Sequence, residues 1–277
     1  MNTLVTVAQL AALLDKQSLL LIDCRFSLQD VTAGRRAYSL AHIPAAYFAD
    51  MNEDLSTPHI PGKTGRHPLP SRSDWCKKVQ SWGISPDLQV VVYDDVGGAG
   101  AARLWWMLQW LGHTRVAVLD GGWQAWNHAG LPVTAHQPMA REPSLFGYPH
   151  EATLTLLITA EQLDGATQVL LDARELPRYL GTIEPIDVKA GHIPGAICSP
   201  YSANLDVDGK FKSAAHLRSK FAAAHTLKPV VCYCGSGVTA CHNVLAMTIA
   251  GLPMPALYAG SWSEWITDSK RPVATSQ

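Results

Sequence analysis

The sequence predicts an α/β protein made of two copies of one small domain, each a mostly parallel sheet flanked by helices. Short apolar runs rich in β-branched residues alternate with helical stretches, and a set of landmarks recurs in the same order in both halves. Buried runs of this kind, each followed by a helix, are typical of parallel sheets. A chain of 277 residues is also long enough for about two domains of ordinary size.

The repeat rests on four landmarks. Each half begins with a Thr-x-x-Gln capping box and continues with an Asp-x-Arg triplet, a His-Ile-Pro segment and a Trp-x-x-Trp pair. These pairs begin at Thr6 and Thr159, Asp23 and Asp172, His42 and His192, and Trp123 and Trp262. Four landmarks in one order indicate a duplication.

The apolar runs and turn residues give the predicted element positions. Strands are predicted over 18–22, 89–93, 115–119, 168–171, 229–233 and 256–258, and helices over 99–111 and 238–250. A long loop is predicted over 56–73, which is rich in Pro, Gly and His, and a crossing segment over 134–149, which has three prolines. The predicted organisation is a first domain over 1–138, a linker over 139–152 and a second domain over 153–277.

The composition excludes several classes of partner. With 22 Lys+Arg, 23 Asp+Glu and a net charge of −1, the chain has no long-range field to attract nucleic acid or an anionic membrane. The longest apolar run, 244–260, is interrupted by Gly251, Pro253 and Pro255, and the N-terminus lacks the basic start of an export signal. We therefore expect a cytoplasmic protein with six reduced cysteines and a small-molecule partner.

Cys234 is the strongest candidate for a catalytic residue. A buried strand is predicted to end at Tyr233, and a helix begins near Val238 after a loop that contains Gly235 and Gly237. Such a corner directs backbone N–H groups and a helix N-terminus at the loop, which favours a thiolate there. The glycines let the backbone fold around the sulfur. We therefore expect Cys234 to be a nucleophile or a carrier of a second sulfur atom.

Other interpretations of this segment are weaker. A zinc site from Cys232, Cys234, Cys241 and His242 lacks the usual C-x₂₋₄-C spacing, so no metal is expected. A cysteine phosphatase would carry an arginine six positions after the nucleophile, where this chain has Ala240.

The remaining cysteines, Cys24, Cys76, Cys198, Cys232 and Cys241, are interpreted as structural. At an offset of 139 residues Asp95 lies opposite Cys234. The first domain is therefore predicted to be inactive and the second to be catalytic.

The chain resembles the tandem-rhodanese sulfurtransferases over essentially its whole length. The resemblance lies in Gly191-His-Ile-Pro-Gly-Ala, in the stretch from Asp172 to Gly181, in Gly260-Ser-Trp-x-x-Trp and in an inactive repeat before an active one. It implies a cysteine that takes sulfane sulfur from a donor as a persulfide and passes it to cyanide or a thiol, including a dithiol protein. It implies no cofactor.

The loop Cys234-Gly-Ser-Gly-Val-Thr-Ala looks like that of the members that use 3-mercaptopyruvate. Thiosulfate-preferring members resemble it but carry basic residues after the cysteine, and a neutral loop suits a monoanionic keto acid. Two alternatives stay open: a thiosulfate:cyanide sulfurtransferase, and a persulfide carrier or binding module with little turnover. Comparing turnover with thiosulfate and with 3-mercaptopyruvate separates the thiosulfate enzyme from the predicted one. Capture of a cysteine desulfurase by the protein would favour the persulfide carrier.

The resemblance also assigns residues to the site. Arg178 matches the family's substrate arginine, whose fork suits a carboxylate, while the position after Glu184-Pro185, where relatives commonly have a second arginine, is Ile186. Ser236 and His67 match a relay in which a loop His and an Asp, here Asp50 or Asp54, orient the serine for proton transfer. Substrate contacts are further expected from four residues of the cysteine loop: Gly235, Gly237, Val238 and Thr239.

Overall fold

A computed structural model describes residues 3–14, 16–222, 224 and 228–275. The described residues form two compact units. The first takes in the described parts of Met1–Thr57, Leu69–Leu154 and Val207–Phe211, and the second those of Pro58–Pro68, Thr155–Asp206 and Lys212–Gln277. The segment Pro58–Pro68 therefore belongs to the second unit, although it lies in the N-terminal half of the chain. The predicted bounds of the domains and linker stay a prediction.

The first unit contains, among its described residues, a five-stranded parallel sheet in the order β1-β5-β4-β2-β3. Its strands are β1 Leu4–Val5, β2 Leu19–Asp23, β3 Ala46–Phe48, β4 Gln89–Tyr93 and β5 Val116–Leu119. Its helices are α1 Val7–Ala11, α2 Ala33–Leu40, α3 Arg72–Ser81, α4 Ala99–Leu111 and α5 Gly122–His128. A short 3-10 helix, His150–Ala152, follows.

The second unit repeats this topology, with a five-stranded parallel sheet in the order β6-β10-β9-β7-β8. Its strands are β6 Leu156–Ile158, β7 Val169–Asp172, β8 Ile197–Cys198, β9 Val230–Tyr233 and β10 Ala256–Tyr258. Its helices are α6 Leu176–Leu180, α7 Ala214–Lys220, α8 Thr239–Ile249 and α9 Ser261–Trp265, with 3-10 turns at Ala160–Gln162 and Tyr201–Asn204.

The predicted strands and helices are confirmed, whereas the loop predicted over 56–73 ends earlier because α3 begins at Arg72. Strands β4 and β10 and helix α4 have the predicted bounds, and the other predicted strands and helix α8 differ by one residue at one or both ends. Both capping boxes form, at Thr6 before an α-helix and at Thr159 before a 3-10 turn. The α/β fold with two parallel sheets follows from the alternation of buried runs and helices.

The repeated Asp-x-Arg triplets are structural anchors in both units. In the first unit Arg25 pairs with Asp23, donates to the carbonyl of Ala41 and stacks on Trp123. The Asp23 and Arg25 side chains are buried. The pair therefore ties the end of β2 to the His-Ile-Pro segment from inside the unit.

In the second unit Arg174 makes the equivalent contacts with Asp172, the carbonyl of Gly191 and Trp262. A buried charge needs such partners because its solvation has been lost. Arg174 therefore ties the end of β7 to the segment around Gly191, as Arg25 ties β2 to the segment around Ala41 in the first unit.

Candidate active site

Cys234 lies in the loop that joins the buried strand β9 to helix α8. The residue is 2% exposed. Its N–H donates to the Ser261 hydroxyl at 3.0 Å, and its carbonyl accepts from the Trp262 N–H at 2.9 Å. Ser261 has a φ of 56°, a conformation that costs a non-glycine residue about 1 kcal/mol or more. The strained serine supplies the hydroxyl that fixes the backbone of Cys234.

Gly237 brings a backbone amide to the sulfur. Its N–H donates to Cys234 Sγ at 3.1 Å, and its φ is 79°. A Cβ at this position would lie 2.3 Å from the carbonyl oxygen of Ala259, a distance that real Cβ atoms do not reach. Glycine is thus required both for the turn and for the close approach to β10.

The first unit fills the equivalent cradle with its own carboxylate. Gly98 corresponds to Gly237 at the offset of 139 (237 − 98 = 139), and its N–H donates to Asp94 Oδ1 at 2.8 Å. Asp94 Oδ2 accepts from the Ala101 N–H, also at 2.8 Å. The amide that faces a sulfur in one unit therefore faces a buried carboxylate in the other.

Three of the other cysteines have surroundings that hold them as thiols. Burial raises the pKa of Cys24 and Cys232 well above the ordinary value. Burial, followed by the negative charge of Asp172, raises the pKa of Cys198 to about 11. These side chains stay protonated near neutral pH and are poor nucleophiles.

His67 and Ser236 lie within hydrogen-bond distance of each other. The distance from His67 Nδ1 to Ser236 Oγ is 2.7 Å, and both residues are almost entirely buried. Which atom donates depends on the tautomer of the histidine. The contact joins the segment Pro58–Pro68 to the cysteine loop within the second unit.

The two candidates for the third member of a relay belong to the first unit. Asp50 pairs with Arg35 and accepts from the amides of residues 52 and 53. Asp54 pairs with Lys78 and accepts from the amide of Asp50. An aspartate partner for His67 stays a prediction.

Arg178 is held by two carboxylates. Its Nε lies 3.1 Å from both oxygens of Glu184, and its Nη2 lies 2.8 Å from Glu184 Oε1 and 2.9 Å from Asp187 Oδ2. Its Nη1 lies at the cysteine loop, where a Cβ on Gly235 would come within 3.3 Å of it. The guanidinium group that was expected to bind a substrate therefore contacts mainly Glu184 and Asp187, and only its Nη1 faces the loop.

Arg66 is a site residue that the sequence interpretation missed. Its Nη1 contacts Asp187 Oδ1, and a Cβ on Gly235 would come within 2.9 Å of its Nη2. Asp187 therefore bridges Arg66 and Arg178 beside the residue that follows the nucleophile. The available signal was position: Arg66 immediately precedes His67.

The two acids of this cluster have opposite pKa shifts. Burial raises the pKa of Asp187 above its ordinary value, although the charge of Arg66 opposes the effect. Burial acts in the same direction on Glu184, but hydrogen bonds from the Asp187 amide and from Arg178 outweigh it and lower the pKa of Glu184. Glu184 is consequently the firmly ionised partner of Arg178.

The other predicted positions surround this centre. Val238 is the N-cap of α8, and Thr239 is its first residue. Ile186 is 39% exposed, and its N–H donates to Glu184.

Within the described ranges, no cluster of three or more His, Cys, Asp or Glu side chains is arranged to hold a metal ion. Likewise, no helix in the described part of the chain is long and apolar enough to cross a membrane.

The fold and the duplicated landmarks define a class of protein. The chain belongs to the rhodanese-like domain family, whose model matches residues 6–129 and again residues 157–268. Both matches lie on the duplicated part of the sequence.

Relatives cover nearly the whole chain. A probable 3-mercaptopyruvate sulfurtransferase of Pseudomonas aeruginosa is 51% identical over 277 residues, which is 98% of either chain. A thiosulfate sulfurtransferase of Bos taurus is 39% identical over 259 residues, covering 88% of this chain and 84% of its own. The solved 3-mercaptopyruvate sulfurtransferase from Leishmania major superposes with a TM-score of 0.84 at 32% identity, covering 96% of this chain and 75% of that one.

Proposed function

We propose that the protein is a sulfurtransferase that moves sulfane sulfur from 3-mercaptopyruvate, through a persulfide on Cys234, to cyanide or a thiol. The observation that carries the proposal is the Cys234 sulfur itself. It accepts the Gly237 N–H in a loop flanked by Arg66 and Arg178. The likeness to the Pseudomonas aeruginosa relative supports the choice of donor.

The first half-reaction transfers one sulfur atom. The Cys234 thiolate attacks the donor sulfur, a new S–S bond forms, and the C–S bond breaks with its electron pair on carbon. The product is the enolate of pyruvate, which a proton converts to pyruvate. Ser236 and His67, 2.7 Å apart, are suited to deliver the donor's thiol proton to that carbon.

The second half-reaction regenerates the enzyme. A cyanide ion or a thiolate attacks the outer sulfur of the persulfide, the S–S bond breaks, and Cys234 leaves as a thiolate. The loop favours this leaving group because a backbone amide already donates to its sulfur. Small molecules or a dithiol protein can act as acceptor in this scheme.

Mass spectrometry after donor treatment tests the nucleophile. We expect wild-type protein to gain about 32 Da on Cys234 with 3-mercaptopyruvate, and we expect Cys234→Ser to gain nothing. Cys198→Ser, which alters another cysteine of the same unit, is the matched control and should behave as the wild type. An adduct that survives Cys234→Ser would refute the proposal.

A thiosulfate donor is the second candidate, and a specific observation favours it. Two guanidinium groups lie beside the cysteine loop, and a thiosulfate dianion benefits from such cations. The Bos taurus relative also carries that activity in its name. A donor panel at equal concentrations decides: kcat/KM for thiosulfate equal to or above that for 3-mercaptopyruvate would favour this candidate.

A persulfide carrier with little turnover is the alternative from a different class. It would gain the same sulfur adduct yet show no donor-dependent turnover with cyanide or dithiols.

The six cysteines are unbridged, which favours a reducing compartment such as the cytoplasm for any of these activities.

A further inference from the structure

Most N–H donors of the Arg178 guanidinium group already bind carboxylates of the protein. Glu184 and Asp187 take its Nε and Nη2, and its Nη1 lies beside Gly235. A carboxylate is held firmly by two parallel N–H donors. The Nη1 of Arg178 alone would bind a carboxylate weakly, so a carboxylate beside the loop needs a second donor group.

Arg66 has the donors that Arg178 lacks. A Cβ on Gly235 would lie 2.9 Å from Arg66 Nη2, on the side that Arg178 Nη1 also faces, and the Nε of Arg66 is buried without a hydrogen-bond partner among the described residues. A buried, unsatisfied donor of a charged group is costly. The Arg66 N–H donates to the Ser263 hydroxyl at 3.1 Å, which fixes the residue against the segment after β10. A ligand oxygen next to Gly235 would accept from Arg66 Nη2.

We infer that Arg66 is a specificity-determining residue, which together with Arg178 binds the carboxylate of the donor beside Gly235. The inference rests on the proposed function for the identity of the donor. The carboxylate itself can be probed separately with pyruvate, the donor without its sulfur. Asp187 contacts both guanidinium groups, so its carboxylate competes with that of the donor for them.

The arrangement explains how a neutral loop sequence can select an acid. Cys234-Gly-Ser-Gly has no cation of its own. The two arginines come from the segments at 66 and 178 and meet at Gly235. A side chain larger than hydrogen at 235 would occupy the space in which the carboxylate is proposed to sit.

Protection of Cys234 from alkylation tests the carboxylate site without any sulfur transfer. Pyruvate should slow the reaction of Cys234 with iodoacetamide in the wild type, whereas acetone, which lacks the carboxylate, should not. In Arg66→Met the pyruvate concentration that gives half protection should rise by about tenfold to a hundredfold, as loss of a charge-assisted hydrogen bond predicts. Arg66→Lys, which keeps the charge but loses the fork, should lie between the two.

Steady-state kinetics give the second readout. Arg66→Met should raise KM for 3-mercaptopyruvate by the same factor and change kcat far less, whereas a structural defect would lower both. Arg271→Met is the matched control, because the Arg271 side chain is 19% exposed against 21% for Arg66 and also pairs with carboxylates, those of Glu161 and Asp268. It should resemble the wild type.

The results separate this inference from the proposed function. Half-protection concentrations and KM values within twofold of the wild type in both Arg66→Met and Arg66→Lys would overturn the role of Arg66. If Arg66→Met does not fold, Arg66→Lys decides. A wild type that pyruvate protects but that forms no persulfide would retain the carboxylate site and refute the sulfurtransferase.

Discussion

Replacing Gly237 by alanine should damage the cysteine loop through two separable effects. The residue has a φ of 79°, and the new Cβ would lie 2.3 Å from the carbonyl oxygen of Ala259. The left-handed backbone costs alanine about 1–2 kcal/mol, and forcing extra atoms into a packed site costs about 1–3 kcal/mol more. The lower entropy of the unfolded chain offsets part of this cost, so the total loss of unfolding free energy should be about 2–4 kcal/mol.

Gly62→Ala separates the two effects. Gly62 also belongs to the second unit and has a φ of 72°, but a Cβ there would meet nothing within 4 Å. Only the backbone effect applies, partly offset by the lower entropy of the unfolded chain, so its cost should be about 1 kcal/mol.

Urea unfolding followed by tryptophan fluorescence, together with the rate of Cys234 alkylation, measures the difference. With a slope of about 2 kcal/mol/M, the midpoint of Gly237→Ala should lie roughly 1 M below that of Gly62→Ala. Alkylation should also change only in Gly237→Ala, because its amide donates to the sulfur. Midpoints that agree within about 0.2 M at that slope would refute the steric reasoning.

Three further predictions follow from other parts of the molecule. Arg25→Met and Arg174→Met should each cost about 3–5 kcal/mol in urea unfolding, because a buried aspartate loses its cation; a cost below about 1 kcal/mol would show that the pairs add little. Burial lowers the pKa of His113 to about 4, so the unfolded chain takes up the proton first. The free energy of unfolding should therefore be about 2 kcal/mol lower at pH 5 than at a pH above 6.5, the approximate pKa of His113 in the unfolded chain. The urea midpoints of His113→Gln should depend less on pH, and parallel curves would contradict this. Asp187→Asn should lower the half-protection concentration of pyruvate several-fold, since a competing carboxylate is removed from two guanidinium groups; weaker protection would instead make Asp187 a required support.

Local patterns were sufficient for the architecture. Strand β4 and helix α4 could be placed to the residue because a continuous run of valines and a long apolar segment bounded by Gly98 and Gly112 are clear local signals. A missing cysteine predicts that the first half is inactive. The structure adds the physical detail that Asp94, next to the aligned Asp95, fills the cradle with its carboxylate.

The sequence by itself determined the duplicated α/β fold, the nucleophile candidate and the glycines around it, since these depend on contacts between near neighbours along the chain. Only the tertiary structure decided the charge around the sulfur. Arg66 lies 168 positions before Cys234 (234 − 66 = 168), and it meets Arg178 and Asp187 only because Pro58–Pro68 packs into the second unit. Hydrogen-bond directions, which decide whether a guanidinium is occupied or available, likewise arise from packing and cannot be read from residue order.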